Sequence, residues 1–483
     1  MRISAGCRVP PTIRIEDLLA VTHGRLLAPT TVSSFAGASV DSRKILPGSL
    51  FVALRGERSD GHRFVGEAVD AGAVAALVER PAAPAPPAGA ALVQVTDALL
   101  ALQDLAAWWR ARFRVRVVGV TGSTGKTLAK EVIADVLSRA YRVLRNEGNL
   151  NSESGLPMTL LNLEPAHELA VLEMSMYTLG EIARLAEIAQ PEVGVVLAVH
   201  PTHLERAGSI ERIAQAKSEL PAALPEDGLA VLNADDPRVV AMARVTAATV
   251  QTFGLGPDAQ VRAVDVVSRG VAGTEFTLEA PWARRRLRSG TPGRHLVPHA
   301  LAAAAVAHWF DLPIDEVAAG LAAGSRAAHR MAVGETASGA VLIDDTYNAA
   351  PVSVRAALEF LAETPVAVGR RRLAVLGDML ELGPDEEALH REIGAFAAGI
   401  LDGLVAVGPR GAWIADAARS AGLRRVATAD DADQAIAVAE RELAPGVGDL
   451  LLVKGSRGVE LDRLVGALVA EVATSVHGGG ARC

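Results

Sequence analysis

The stretch Val115-Arg-Val-Val-Gly-Val-Thr-Gly-Ser-Thr-Gly-Lys-Thr127 joins an apolar run of strand length to a glycine-rich turn. After the turn, apolar residues at positions 129, 132, 133, 136 and 137 follow the spacing of one helix face. The glycines allow several backbone N–H groups to face one phosphate at the start of this helix, where the helix dipole adds positive potential. The stretch therefore predicts a strand, a phosphate-binding loop and a helix.

The residue types in this loop are those that hold a magnesium-bound nucleoside triphosphate. Lys126 is expected to reach the terminal phosphates, and the Thr127 hydroxyl is expected to bind Mg²⁺. The spacing is the shorter GxxGK[ST] form, because Val120 stands where the longer form has glycine. A structural turn with an exposed lysine is the alternative. The expected nucleotide-binding residues of the loop are Gly122, Ser123, Thr124, Gly125, Lys126 and Thr127.

Apolar runs alternate with helical stretches on both sides of this loop, which is typical of parallel sheets covered by helices. With 483 residues, the chain is too long for one hydrophobic core. We predict an α/β protein of three domains: a small N-terminal α/β substrate domain over residues 1–113, a central P-loop-type domain over 114–325, and a C-terminal Rossmann-like domain over 326–483. The central sheet is expected to be mostly parallel and flanked by helices.

Composition excludes several classes of protein. The net charge of −8 disfavours general nucleic-acid binding, which needs a basic face. The two cysteines, Cys7 and Cys483, are too few for a disulfide framework or a four-thiolate metal site. Neither a secretory signal nor an apolar stretch long enough to span a membrane is evident. We therefore expect a cytoplasmic protein that is a monomer and does not insert into membranes.

Further polar residues follow the predicted strands, at the sheet edge where α/β proteins bind ligands. Glu173 ends the run Val171-Leu-Glu-Met, and His200 and His203 both follow the next strand, so either histidine is a candidate partner for a divalent cation. Each of these residues is equally compatible with an ordinary loop. Lys217 by itself is typical of a solvated helix lysine, and Asp344-Asp345 could cap a helix or bind ribose hydroxyls.

Taken together, these motifs resemble the Mur ligases, the ATP-dependent amide-forming enzymes of peptidoglycan precursor synthesis. The resemblance covers nearly the whole chain. Two stretches, Ile343-Asp-Asp-Thr-Tyr-Asn-Ala-Ala-Pro351 and Val375-Leu-Gly-Asp-Met-Leu-Glu-Leu-Gly383, resemble the branch of the family that joins D-alanyl-D-alanine to UDP-N-acetylmuramoyl-tripeptide. The N-terminal runs Val40-Asp-Ser-Arg-Lys and Asp60-Gly-His resemble the same branch.

The resemblance implies a ligase that uses ATP and two Mg²⁺ ions. ATP would phosphorylate the peptide carboxylate to an acyl phosphate, which the amine of D-alanyl-D-alanine attacks. By matching position, Thr127 and Glu173 would hold one Mg²⁺ and His203 would help to hold the second. Lys217 matches the family lysine that reacts with CO₂ to become a carbamate, an anionic ligand. The resulting product is the UDP-N-acetylmuramoyl-pentapeptide precursor.

The resemblance also implies roles for residues in all three domains. Arg330 would contact ATP, Asp345 would bind ribose, and His299 stands where the family commonly has the asparagine that meets adenine. Other departures from the family pattern are Leu296, Ser152, Ser175 and Ala350. The expected catalytic residues are Lys126, Glu173, His203, Lys217 and Arg330. The expected substrate residues are Ser42, Arg43, Asp60, Gly61, His62, Asn151, Asn348 and Ser456.

Two alternatives remain open from the sequence. One is a related ligase that joins a different amino acid or acts on a different sugar-peptide. The other is a nucleotide-gated binding or regulatory protein that keeps the fold without the chemistry. The second alternative would require the loss of phosphate-binding or metal-binding groups, and the matching residues are all present.

Overall fold

The computed structural model describes residues 11–56, 59–81, 89–200, 208–324, 327 and 329–469. His203, predicted to be a metal ligand, lies outside the described residues, and so does Ser325 at the expected joint between the second and third domains. Within the described part of the chain, no helix combines the length and the apolar content needed to cross a bilayer.

The phosphate-loop strand Arg116–Thr121 lies inside the largest sheet, as the uncharged run from Val117 to Val120 within it predicts. Strands buried on both faces carry apolar residues without alternation, and the neighbouring strands Leu169–Glu173 and Val193–Val196 show the same pattern. From one edge to the other, the strands formed by described residues are Val143–Arg145, Leu169–Glu173, Arg116–Thr121, Val193–Val196, Leu229–Asn233, Thr249–Gly254, Val261–Ser268, Thr274–Ala280 and Ala283–Ser289.

The part of this sheet that carries the phosphate loop is parallel, and its far edge is not. Strands from Val143–Arg145 through Val261–Ser268 pair in parallel, whereas Thr274–Ala280 and Ala283–Ser289 form an antiparallel ribbon. Within the ribbon, Thr274–Ala280 alternates buried and partly exposed residues, whereas Ala283–Ser289 carries three consecutive exposed arginines. The antiparallel edge was not predicted from the sequence.

Two smaller sheets lie on either side of the central sheet in the chain. The N-terminal sheet has the order Arg25–Leu26, Ala91–Gln94, Ala75–Val78, Leu50–Val52 and Ala38–Ser39, and a separate ribbon pairs Ile13–Arg14 with Ser34–Phe35. The C-terminal sheet has the order Ala332–Glu335, Val341–Asp345, Leu450–Lys454, Arg372–Gly377, Gly403–Val407 and Val426–Ala429. Both are parallel except at the first strand given for each.

Helices cover these sheets. One example is Ala98–Arg110, which begins where the Asp97 side chain accepts a hydrogen bond of 2.8 Å from the Leu100 N–H, as an N-cap does. The α-helices of the described residues are Ile15–Thr22, Val65–Asp70, Ala98–Arg110, Lys126–Leu137, Gly155–Leu160, Glu181–Ala189, Ile210–Ala222, Pro237–Val240, Val297–Trp309, Ile314–Ala323, Pro351–Glu363, Glu386–Ala398, Gly411–Ser420, Ala432–Val438 and Asp462–Leu468.

The α/β class and the mostly parallel central sheet agree with the sequence prediction. The exact domain boundaries stay a prediction, because the hydrophobic clusters cross them. Leu102 and Leu105 of the first predicted domain pack in one cluster with Leu172 and Met174 of the second. Such shared packing resists rotation of the first unit against the central sheet.

Candidate active site

The glycine-rich loop lies between the strand Arg116–Thr121 and the helix Lys126–Leu137, as predicted. Gly125 has a φ of +78° immediately before the helix, a conformation that favours glycine. The Ser123 N–H donates to the Ala198 carbonyl at 2.8 Å, and the Ser123 hydroxyl accepts from the His200 N–H at 2.9 Å. The next strand's loop thus holds the phosphate loop in place.

The Lys126 side chain turns back over this loop. Its Nζ donates to the Gly122 carbonyl at 2.9 Å and lies 3.4 Å from the Ser123 carbonyl. Burial of the ammonium lowers the pKa of Lys126, and the nearby Glu173 carboxylate opposes this effect. The ammonium therefore sits where the loop's backbone groups converge.

Glu173 is buried at the carboxyl end of its strand, next to the phosphate loop. One carboxylate oxygen accepts from the Thr127 hydroxyl at 2.6 Å, and the other accepts from the Asn151 side-chain amide at 2.6 Å. The parallel register places Glu173 beside Val120, at the edge from which the loop emerges. Tertiary structure thus brings together Thr127 and Glu173, predicted to bind metal, and Asn151, predicted to bind substrate.

Arg330 reaches the same cluster from the C-terminal part of the chain. Its guanidinium donates to the Thr127 hydroxyl at 2.8 Å and stacks 3.9 Å above the Tyr347 ring. Arg330 Nε is buried and has no hydrogen-bond partner among the described residues. Such a fixed cation beside the loop suits the negative charge of a phosphate.

His299 lies against the phosphate loop as well. A Cβ placed on Gly125 would stand only 2.3 Å from His299 Nε2, so the loop needs glycine at this position. Burial and, to a lesser extent, the neighbouring His295 lower the pKa of His299 to about 4. The pKa of His295 is also lowered to about 4, chiefly by burial. Both imidazoles are therefore neutral at pH 7.

Lys217 is buried on the helix Ile210–Ala222, with only 3% of its surface exposed. Its amine has no hydrogen bond or ion pair with any residue that the structure describes. Burial lowers the pKa of Lys217 well below its ordinary value, and the charge of Lys126 adds to this shift. The sequence alone suggested a solvated helix lysine, and the structure instead gives a buried amine whose surroundings lower its pKa.

The oxygen atoms of Thr127 and Glu173 are the hard ligands that Mg²⁺ prefers. The described residues do not supply the other predicted metal ligands as clearly. They contain no group of three or more His, Cys, Asp or Glu side chains able to hold a metal ion. His203 lies outside them, and the competing candidate His200 has a pKa lowered by burial.

The predicted ribose and substrate residues of the C-terminal unit form a second cluster. Asp345 pairs with the Lys454 ammonium, and this ammonium also donates to the Asn348 carbonyl at 2.9 Å. The Ser456 hydroxyl accepts from the Leu380 N–H at 2.9 Å and lies 3.3 Å from the Ala349 carbonyl. The ends of neighbouring strands thus bring these residues together.

The predicted sugar-binding residues of the N-terminal unit occupy two adjoining turns. The Asp60 carboxylate accepts from the His62 N–H at 3.0 Å and lies 2.7 Å from the His62 ring, and Gly61 N–H donates to the Leu54 carbonyl at 2.8 Å. Ser42 Oγ donates to Glu67 at 3.1 Å, whereas Arg43 pairs with the neighbouring Asp41. No described contact joins these residues to the phosphate loop.

The sequence analysis missed three residues of the site. Tyr347 lies within a quoted motif, but nothing in the sequence indicated that it supports Arg330. Asn146 is fully buried next to Glu173, and Lys130 is fully buried against the Asn146 carbonyl. A polar residue directly after the strand Val143–Arg145 was the signal available for Asn146.

Family models match most of the chain. They are described as Mur ligase family, catalytic domain (residues 34–110), Mur ligase middle domain (120–307), and Mur ligase, glutamate ligase domain (329–457).

Curated relatives named UDP-N-acetylmuramoyl-tripeptide–D-alanyl-D-alanine ligase are similar over nearly their whole length. The relative from Mycobacterium tuberculosis H37Rv is 41% identical, covering 89% of this chain and 91% of its own. The relative from Escherichia coli K12 is 38% identical, covering 95% and 98%.

Solved structures of MurF are similar to this chain over most of its length. MurF from Acinetobacter baumannii is 31% identical with a TM-score of 0.81, covering 95% of this chain and 99% of its own. MurF from Thermotoga maritima, in complex with ADP, is 30% identical with a TM-score of 0.75, covering 90% and 97%.

Proposed function

This chain belongs to the Mur ligase family, and from that premise we propose how its residues carry out the family's amide-forming reaction. The protein is an ATP-dependent ligase of peptidoglycan synthesis that joins D-alanyl-D-alanine to UDP-N-acetylmuramoyl-tripeptide. The observation that carries the residue assignment is the cluster of Thr127, Glu173 and Arg330 around the phosphate loop. Three distant segments of the chain converge there.

The first proposed step is transfer of the ATP γ-phosphoryl group to the terminal carboxylate of the tripeptide. Phosphoryl transfer depends mainly on positioning and on neutralising charge. The loop N–H groups and Lys126 would bind the phosphates, and the Arg330 guanidinium would face them from the opposite side. The D-alanyl-D-alanine amine then attacks the acyl phosphate, and phosphate leaves with its bonding electrons as the amide forms. Excluding water from this intermediate protects it from hydrolysis.

The donor set fits Mg²⁺ at the first of the two proposed sites. The Thr127 hydroxyl and the Glu173 carboxylate would hold this ion, whose chemistry is to neutralise and orient the phosphate oxygens. Glu173 is already oriented by Asn151, which we therefore assign to positioning as well as to the substrate side of the site. His203 remains our proposal for the second ion.

We further propose that Lys217 is carbamylated. An unprotonated amine attacks CO₂, whereas an ammonium has no free electron pair to do so. The burial of Lys217 and its proximity to Lys126 favour the unprotonated form. The carbamate formed would be anionic, so it would be stabilised by the same Lys126 charge that disfavours the ammonium.

The remaining assignments concern the ends of the substrates. Asp345, held by Lys454, is proposed to bind the ATP ribose, and His299 is proposed to meet adenine. Asn348 and Ser456 would face the peptide and dipeptide carboxylates. In the N-terminal unit, the UDP-sugar would be bound by Ser42, Arg43, Asp60, Gly61 and His62. The Arg43 guanidinium would pair with the diphosphate, whose oxygens accept two parallel hydrogen bonds. We propose a monomer that acts in the cytoplasm.

A product assay tests this function directly. Purified protein with ATP, Mg²⁺ and UDP-N-acetylmuramoyl-tripeptide should release phosphate and form the pentapeptide with D-alanyl-D-alanine but not with single amino acids. Formation of product with a single amino acid would indicate a related ligase. The absence of phosphate release with every acceptor would favour the nucleotide-gated regulatory alternative.

A further inference from the structure

A fully buried lysine lies one helical turn beyond the phosphate-binding residue Lys126. Lys130 belongs to the same helix and is 0% exposed. Its ammonium donates to the backbone carbonyl of Asn146, a residue that is also 0% exposed, and it pairs with the Glu131 carboxylate at 2.7 Å. Burying a cation costs free energy unless the charge is paired. The Asn146 carbonyl and the Glu131 carboxylate provide this pairing for Lys130.

Asn146 connects this lysine to Glu173. The Asn146 side-chain oxygen accepts from the Glu173 N–H at 2.9 Å, and the side-chain amide lies 3.2 Å from the Glu173 carbonyl. The same amide also donates to the Leu150 carbonyl at 2.8 Å. The Asn146 side chain therefore contacts the backbone N–H and carbonyl of Glu173, and also the carbonyl of Leu150, which precedes Asn151.

Asn151 and Thr127, the two hydrogen-bond partners of the Glu173 carboxylate, are therefore both linked to the pair Lys130 and Asn146. Asn151, whose amide binds one carboxylate oxygen at 2.6 Å, is anchored by Leu150 before it and by the Ser175 N–H, which donates to the Asn151 carbonyl at 2.9 Å. Thr127, which binds the other oxygen, sits on the same rigid helix as Lys130. The helix Lys126–Leu137 thus connects the phosphate loop at its first residue to Asn146 through Lys130.

We propose that Lys130 and Asn146 are positioning residues that fix the Glu173 carboxylate against Thr127 for binding of the magnesium–nucleotide complex. This inference rests on the proposed function, because it assigns Glu173 to the metal site. Both side chains are fully buried, so we assign them an action through Glu173 and not a contact with substrate. Their role is to restrict the carboxylate to one orientation, as groups behind a metal ligand commonly do.

The test compares wild-type protein with Lys130→Met and Asn146→Asp. Met removes the charge at similar volume. Asp keeps the acceptor for the Glu173 N–H but turns a second oxygen towards the Leu150 and Glu173 carbonyls. Arg110→Met is the matched control, since Arg110 is a buried cation that donates to the Ala189 and Val115 carbonyls, each at 2.9 Å, away from Glu173.

The main readout is binding of Mn²⁺, as a substitute for Mg²⁺, in the presence of a non-hydrolysable ATP analogue, followed by electron paramagnetic resonance. Both variants should bind Mn²⁺ about 10- to 100-fold more weakly than the wild type, the usual cost of removing a group behind a metal ligand. Steady-state assays should show a higher Mg²⁺ requirement with the KM for tripeptide unchanged. Arg110→Met should lose thermal stability and retain wild-type Mn²⁺ binding.

The outcomes separate the two claims. If wild-type protein fails to bind Mn²⁺ with the analogue, the proposed metal site is wrong, whatever the variants do. If the wild type binds and the folded variants bind equally well, the positioning role is wrong and Lys130 is structural only. If Lys130→Met fails to fold, the isosteric Asn146→Asp variant decides the matter by the same measurement.

Discussion

Lys217 is expected to limit the stability of the folded protein while being required for activity. Its amine is buried and unpaired among the described residues, and its pKa is lowered first by burial and then by Lys126. At pH 7 an unfolded chain keeps this lysine protonated, so folding must desolvate the charge or release the proton. The resulting penalty is absent above the ordinary lysine pKa of about 10.4 and appears as the pH falls below it.

Replacing Lys217 with Met should therefore stabilise the protein. The substitution breaks no hydrogen bond to a described residue and removes the cost of desolvating a buried amine, a gain of about 1–3 kcal/mol. For a folding unit of roughly 150–250 residues, this corresponds to a rise in Tm of about 2–12 °C. Calorimetry in CO₂-depleted buffer measures the shift. Lys130→Met is the matched control, because it removes an equally buried lysine that does have two acceptors and should lower the Tm.

Activity should change in the opposite direction. Loss of the proposed anionic carbamate should reduce kcat by about 10²- to 10³-fold, the range for removing one preorganised electrostatic group. Lys217→Ala, which leaves space, should recover part of this loss when short carboxylic acids are added. A Lys217→Met variant that is less stable than the wild type would refute the argument from desolvation of the amine. An Ala variant with wild-type kcat would refute the carbamate.

Three further predictions concern the residues around the loop. His295 and His299, both with a pKa of about 4, bind protons less readily than in the unfolded chain. The free energy of unfolding should consequently fall between pH 6.5 and pH 4, by about 3 kcal/mol for each histidine. Urea denaturation should show that the free energy of unfolding of His299→Asn depends less steeply on pH than that of the wild type. An equally steep dependence would contradict this. Arg330→Met, which removes the bond to Thr127, should lower kcat/KM for ATP by about 10- to 100-fold, and unaltered ATP kinetics would exclude Arg330 from nucleotide binding. Because Arg330 bridges from the C-terminal unit, ATP should reduce the radius of gyration measured by small-angle scattering, and a constant radius would count against domain closure.

Local patterns in the sequence were sufficient for much of the fold. Strands buried in parallel sheets carry continuous apolar runs, so Arg116–Thr121 and Leu450–Lys454 were recognisable without their partners. The helix that follows the phosphate loop was recognisable from the spacing of its apolar residues at 129, 132, 133, 136 and 137. The antiparallel strands Thr274–Ala280 and Ala283–Ser289 were missed, since their many charged residues obscure the alternation.

The phosphate loop was determined by the sequence itself, because glycine, lysine and threonine at this spacing act within a few neighbouring residues. The family was recognisable from motifs spread along nearly the whole chain. The environment of Lys217 was decided only by tertiary structure, since packing against the central sheet turns an ordinary helix lysine into a buried amine. The links from Lys130 through Asn146 to Glu173 were decided in the same way. Burial and hydrogen bonding between residues far apart in the chain depend on how the strands are ordered, and no local pattern carries that information.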